Sequence, residues 1–452
     1  MFVAIIALYM LAMIGIGIYG KKKVENFNDF LTTGKRATML MIMGSCMGAQ
    51  VGSGFVVGSS ESGALMGISG AWYGVGCGIS YIIIGFALSR FIQKNGYVTL
   101  SDYFEKRYGG KTTRLIYSIA TPISCIASLA AQIMAGSAVF MALGFNGTIG
   151  AIVSIVVILL YSCISGLWGA EMTSVFQVGI IIVALIAGLI CILNQGAAAS
   201  LASLPAEVWN PFNIDRVTWV AMVIPTITVS FVDQSIFQRL ASAKNEKTAK
   251  VGHALGGLLL IPLTFIPVII GMYGSVLYPD AEASSVFWLV ALERMPKLLS
   301  ALLVSAVLAA IMSTCDCIFL AISATAVYDV YKGMINPNAS DKTCTRISIV
   351  LNIIIGTLAT LFALRMTGVL NVISLAYTFT SAGCLVPFIA GVLWKKGTEK
   401  GAIWSAIIGV AFALCGSFGL ITIKYDILST LVALVVYIIV SLITQPKEEL
   451  HI

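Results

Sequence analysis

The chain has 452 residues, 59% of them hydrophobic and 10% charged, with a formal net charge of +7. Soluble domains carry nearer ~25% charged residues, and apolar runs of about 20 residues, each able to cross ~30 Å of hydrocarbon, recur from end to end. A water-soluble protein is excluded, and so is a lipid-spanning β-barrel, whose segments would be short and alternating.

The expected fold class is an all-α polytopic membrane protein with 13 transmembrane helices. In chain order the spans are 2–20, 38–58, 66–93, 114–142, 146–166, 171–194, 218–242, 250–277, 297–332, 344–366, 368–395, 400–422 and 424–446. Residues 2–20 lack a basic leader and a small-residue cleavage site, so they are read as a retained helix rather than a signal peptide. Sorting the basic residues by alternate loops puts 22 of the 27 on one side, ending with Lys447, and five on the other: Arg216, Arg294, Lys297, Arg365 and Lys424. The positive-inside rule makes the richer side cytoplasmic, with the N-terminus outside and the C-terminus inside a cell membrane. The same sorting explains the net charge, so no nucleic-acid partner is implied. Arg239, Lys244, Lys247 and Lys250 are counted together as one cytoplasmic loop.

Two spans contain residues that loosen a helix. In "GSCMGAQVGSGFVVGSSESG" (44–63), Ser45, Gln50 and Ser53 stand at mid-membrane depth among glycines. Close helix packing accounts for Gly54 and Gly58 but not for the polar cluster. Gly52, Gly54 and Gly58 superficially resemble a dinucleotide loop, yet no strand precedes them. Irregular backbone at this depth is tolerated where it lines a cavity or site, and an unwound helix frees carbonyls for a cation. In "WVAMVIPTITVSFVDQSIFQRL" (219–240), Pro225 is followed by Thr226, Thr228, Ser230, Asp233 and Gln234. Counting 38–58 as the first core span, this is the sixth, the spacing that two inverted five-helix repeats require. The single domain, 1–452, then divides into an extra helix (2–20), repeats at 38–194 and 218–395, and two closing helices (400–446).

In "LAAIMSTCDCIFLAISATAVYDVYK" (308–332), Ala310, Ser313 and Thr314 share a helix face. Hydroxyl and carbonyl oxygens are hard ligands suited to a small alkali cation, although Ser and Thr also bond back to their own helix. Asp316 continues the strip. An intramembrane carboxylate is a functional candidate by default. The ten cysteines lie almost entirely in apolar runs without metal-ligand spacing, and His253 and His451 are the only histidines. No catalytic residues and no cofactor-binding residues are assigned; H-E-x-x-H and G-x-S-x-G are both missing.

The segments "AAIMSTCD" with "YDVYK" (309–316, 328–332), "DQSIFQRLASAKNEKTAK" (233–250), "GYVTLSDYFEKRYG" (96–109) and "LVPFIAGVLWKKGTEKGA" (385–402) resemble the sodium:solute symporter family over nearly the whole chain. The resemblance implies a LeuT-type five-plus-five fold and sodium-driven alternating access. It implies a sodium ion held by Gly48 and Val51, or Ala49 one residue out of register, with Ala310, Ser313 and Thr314. It implies a solute cavity lined by Gln50, Gly52, Ser53, Phe55, Trp72, Tyr73, Gln132, Ser230, Asp233, Gln234, Tyr377, Thr380 and Ser381. Members with a second sodium site carry Thr-Asp in a "TDVIQ"-like motif; here "TSVFQ" supplies Thr173 and Ser174, leaving Ser174 and Asp316 as a candidate second cation or proton site. Local likeness extends to the choline carriers, but Gln50 and Asp233 stand where the tryptophans of a choline cage would be.

The resulting expectation is a sodium-coupled symporter for a small polar solute, an amino acid or an amine, with the lipid bilayer as its surroundings and no obligate protein partner. Asp233 would pair with a substrate ammonium; alternatively it caps its half-helix or pairs with Arg239. No arginine is expected in the membrane interior where it could clamp a carboxylate. The alternatives are a membrane sensor or scaffold on a symporter-like module, or a symporter for a sugar or carboxylate.

Overall fold

A computed structural model describes residues 2–366, 369–417, 420 and 425–445. Lys424, Lys447, His451 and the expected span ends at 368, 422, 424 and 446 lie outside the described residues. The chain folds as a helical bundle, and among the described residues its strand-type pairing is one isolated parallel bridge, Ala37 with Ala243. Eight described helices are long and apolar enough to cross a membrane, nine if one bent pair is counted as a span.

Helix α1 (Phe2–Lys21) packs beside the later core helices. The first core span is α2 (Met39–Gln50), a break at 51–53, a π-turn over Gly54–Gly58, and α3 (Ser59–Met66). The helix therefore runs past the expected end at 58. The serines and glycines there are packing residues: a Cβ on Gly63 would sit 2.3 Å from the Val268 carbonyl oxygen, so this stretch abuts a neighbouring backbone. Gly67 (φ +61) then turns the chain into α4 (Trp72–Asn95). α5 (Leu100–Tyr108) opens on a capping box between Thr99 and Asp102.

α6 (Lys111–Ala142) is continuous through Pro122, and α7 (Gly147–Asn194) joins the two expected spans 146–166 and 171–194 across a kink at Gly166. That residue has φ +59, and an added Cβ would meet the Phe30 ring at 2.5 Å, so both its backbone and its space suit glycine.

The second broken span is α8 (Arg216–Ser230) and α9 (Gln234–Ser242), bent by 47°. The break falls at 231–233, and Pro225 is accommodated inside α8. Thr226, Thr228 and Ser230 all donate to carbonyls of their own helix. α10 (Glu246–Leu277), the peripheral α11 (Ala283–Glu293), α12 (Lys297–Ile322, continued as a π-helix over Ser323–Ile335) and α13 (Asp341–Ala363) follow. The chain ends in α14 (Val369–Thr380), a π-turn over Ser381–Leu385, α15 (Val386–Leu393), α16 (Glu399–Ser417) and α17 (Tyr425–Ile443).

Burial ranks these elements. The most apolar window of Lys297–Ile335 is 78% buried, against 39% for Asp341–Ala363 and Glu399–Ser417. α12 is thus a central post, and the helices around it present apolar side chains outward, as lipid-facing helices do.

At one end of the bundle a buried ion cluster ties three elements together. Arg114 of α6 reaches Glu105 at 2.7 Å, Asp102 at 3.5 Å and Asp329 at 3.0 Å. Asp329 is fully buried and also accepts from Thr99 at 2.9 Å and Ser118 at 3.4 Å.

Candidate cation and solute site

Between α2 and the π-turn the backbone makes an inverse γ-turn. Val51 has φ −76 and ψ 60, and the Gly52 amide donates to Gln50 O at 2.8 Å. A continuous helix would have sent the Gly52 and Ser53 amides to the Gly48 and Ala49 carbonyls. Ser53 N–H instead donates to Gln132 Oε1 at 3.2 Å. The two freed carbonyls face α12, where Thr314 Oγ1 lies 3.4 Å from Gly48 O, 3.3 Å from Ala49 O and 3.0 Å from Ala310 O.

One hydroxyl proton cannot serve three acceptors, so lone pairs converge here without matching donors. Ser313, fully buried beside Thr314, shares a 2.9 Å hydrogen bond with Ser174 of α7. A Cβ on Gly48 would sit 2.3 Å from Ser313 Oγ, so glycine permits this approach. Oxygen donors from α2 and α12 thus meet at the break, a donor set suited to an alkali ion. Val51, paired with Gly48 in the sequence reading, is the apex of the turn; the carbonyl facing Thr314 beside that of Gly48 belongs to Ala49. Asp316 is buried one turn beyond Ser313.

The second break faces the first across a cavity. Asp233 starts α9 as its N-cap, with Oδ1 accepting from Ser235 N at 2.7 Å and Ile236 N at 3.1 Å. It also lines the cavity, which leaves ≈ 90 Å³ open to the centres of water-sized molecules. A single water needs ~10–15 Å³ by this measure, so the space suits a small solute. Gln50, Gly52, Tyr73, Gln132, Ser230, Asp233 and Tyr377 stand on its wall with Thr314. Tyr73 and Tyr377 bring their hydroxyls to 3.5 Å, and Ser230 bonds Ser80 at 3.0 Å. Ser53 Oγ is buried without a hydrogen-bond partner among the described residues. A second cavity adjoins on the far side of Asp233, with Thr121, Ser124, Gln234 and Thr380 in its lining.

Four expected residues serve elsewhere. Phe55 is fully buried in the core, against Gly74. Trp72 turns away, donating to Pro211 O at 2.6 Å and packing edge-on against Trp219. Gln234 accepts from the Leu100 amide at 2.8 Å, so it anchors α5 as well as lining the second cavity. Ser381 lines a separate pocket with Thr228 and Thr430. The sequence reading also missed Tyr81, Ser128, Ser235 and Cys317, which share the cavity wall. Ser128 lies four residues before Gln132 on α6, so helical periodicity from Gln132 could have found it.

The largest correction concerns Arg239. Counted among loop bases, it is 1% exposed inside the bundle, where Nε donates to Ser45 Oγ at 2.6 Å and Nη2 to Cys317 Sγ. It forms no ion pair with Asp233 among the described residues.

The profile of the sodium:solute symporter family matches residues 30–409. The sodium/glucose cotransporter 4 of Danio rerio is 25% identical, aligned over 91% of this chain and 71% of its own length. The high affinity choline transporter 1 of Mus musculus is 26% identical over 92% of this chain and 76% of its own. Among solved structures, a Na+-coupled sialic acid symporter in a substrate-bound outward-open state superposes with a TM-score of 0.84 over 98% of both chains, at 17% identity. A nucleobase-cation-symport-1 family transporter gives 0.59, at 14% identity over 91% of this chain and 92% of its own. At these identities the structural likenesses speak for a common fold.

Proposed function

The chain belongs to the sodium:solute symporter family, and from that premise we propose that it is a sodium-coupled secondary active transporter. It imports a small polar organic solute by alternating access and catalyses no chemical conversion. The observation that carries the reading is the γ-turn at Val51, which points the Gly48 and Ala49 carbonyls at the Ser313–Thr314 face. Sodium, as coupling ion, is held there by Gly48, Ala310, Ser313 and Thr314, with Ala49 or Val51 completing the set. Ser174 and Asp316 form the candidate second cation or proton site. Because serine stands in place of an aspartate at 174, one sodium moves per solute.

The solute occupies the cavity between the breaks. An amino acid or small amine fits best. Asp233 brings a carboxylate to the wall, and Tyr73 and Tyr377 offer aromatic faces for a cation. A second reading, a neutral polyol or sugar, is favoured by one fact: Asp233 Oδ1 is already engaged in capping α9, leaving mostly neutral donors and acceptors around the cavity.

The thirteen-span arrangement, with two five-helix repeats, the N-terminus outside and the C-terminus cytoplasmic in a cell membrane, belongs to the same proposal. The test is uptake into proteoliposomes under an imposed sodium gradient, after a thermal-shift screen of amines, amino acids, sugars and carboxylates with and without sodium. Ligand binding stabilises by mass action, so the solute should raise the melting temperature far more with sodium present. A ligand that stabilises equally without sodium, and uptake indifferent to the gradient, would refute sodium coupling.

A further inference from the structure

Glu171 of α7 is completely buried. Its Oε1 accepts from Ser242 Oγ at 2.7 Å, while Oε2 has no hydrogen-bond partner among the described residues. No basic side chain forms an ion pair with it among the described residues. A carboxylate withdrawn from water and left half-satisfied is costly unless a cation or a proton completes it. Glu171 lies three residues before Ser174, on the same helical face, and Ser174 is the hydroxyl bonded to Ser313. On its other side stands a backbone seal: Ala37 N donates to Ser242 O at 3.1 Å, Lys244 N to Ala37 O at 3.2 Å, and Thr33 Oγ1 to Ser242 O at 3.3 Å. Ser242 therefore links the carboxylate directly to the seal.

We propose that Glu171 is a separate, transient monovalent-cation site between the Ser313–Thr314 site and the cytoplasm. Under the proposed orientation α7 runs outward from Gly166, so Glu171 lies one turn nearer the cytoplasm than Ser174. Sodium leaving Thr314 passes the Ser174–Ser313 hydroxyls to the Glu171 carboxylate, then exits when the Ala37–Ser242 seal parts. The Arg239 guanidinium, buried within the same turn of chain as Ser242, keeps this second binding weak by like-charge repulsion. Both features suit a release step.

This inference rests on the sodium-symport reading. The test is equilibrium binding of ²²Na⁺ to the purified full-length protein by scintillation proximity. Wild type should bind in two components, one tighter and one weaker. Glu171→Gln should remove the weaker component, about halving saturation binding, and Glu171→Asp should retain it. Ser313→Ala should shift only the tighter component, by about tenfold. Ser242→Ala, which leaves the carboxylate wholly unsatisfied, should tighten the weaker component, an effect a purely structural role for Glu171 would not produce. Identical isotherms for wild type and Glu171→Gln, or loss of both components together, overturn the proposal. A wild type that binds no ²²Na⁺ overturns the symport reading itself.

Discussion

Thr314 has one hydroxyl proton and three carbonyl neighbours, and Ser313 shares its own with Ser174. Each hydroxyl would supply one of about five ligands to the ion, so removing one should weaken binding by about 1–3 kcal/mol. Ser313→Ala and Thr314→Ala should therefore raise the sodium concentration for half-maximal transport by about 5- to 150-fold, with melting temperatures without sodium nearly unchanged. Unaltered sodium dependence in both would remove them from the site. Asp233→Asn keeps an acceptor for the α9 cap while losing the charge, since asparagine caps as well as aspartate. Binding of an amine solute should fail while sodium-only stabilisation persists; normal transport would favour the polyol reading. The polar face at Ser313 and Thr314 was legible because helix spacing sets them three and four residues beyond Ala310, on its face. Glu171 and Arg239 were not, because their partners, Ser242, Ser45 and Cys317, come from segments far away in sequence. Phe55 and Trp72 were misjudged for a related reason: the orientation of each depends on where a helix restarts, at the π-turn after Ser53 and at the 3₁₀ turn after Gly67.

At the scale of elements, the two breaks differ in kind. The first is a γ-turn that re-routes two amides, and the glycines and Ser53 signalled its neighbourhood. The second is a 47° bend in which a new helix starts from its own cap at Asp233. Pro225 stays inside α8, and the boundary falls at Asp233, the residue the sequence offered as a half-helix cap. The ion cluster on Arg114 holds α5, α6 and the end of the Lys297–Ile335 helix together. Breaking a buried pair by removing one charge costs about 3–5 kcal/mol. Asp329→Asn should thus lower the stability of the detergent-purified protein by about that amount, read as a fall in melting temperature. Glu105→Gln, which removes a carboxylate that is itself about one-third exposed, should cost far less. Equal losses in the two variants would mean that the cluster acts as one surface network rather than through the buried aspartate.

For the whole molecule, helical class and the family were readable from apolar length and motif, whereas α5 and α11 lie in none of the expected spans. With Arg239 inside the bundle, four bases in one loop become three, and the bases still lie mostly on one set of alternate loops. If serine at 174 leaves a single coupling ion, the reversal potential in proteoliposomes should shift as expected for one sodium per solute. A value of two would bring Asp316 into the transport cycle, and Asp316→Asn should then return it to one. The cavities carry a further consequence. Two native thiols stand on their walls, Cys317 beside Thr314 and Cys125 beyond Asp233. The protein is thereby fitted with reporters on both sides of Asp233 without engineering. Alkylation of Cys317 by a small, membrane-permeant maleimide should slow when solute and sodium are bound together. Cys125, further along the same path, should react fastest under conditions that open the cytoplasmic side. Mass spectrometry of the labelled peptides would read the two positions separately, turning residue chemistry into a clock for the transport cycle.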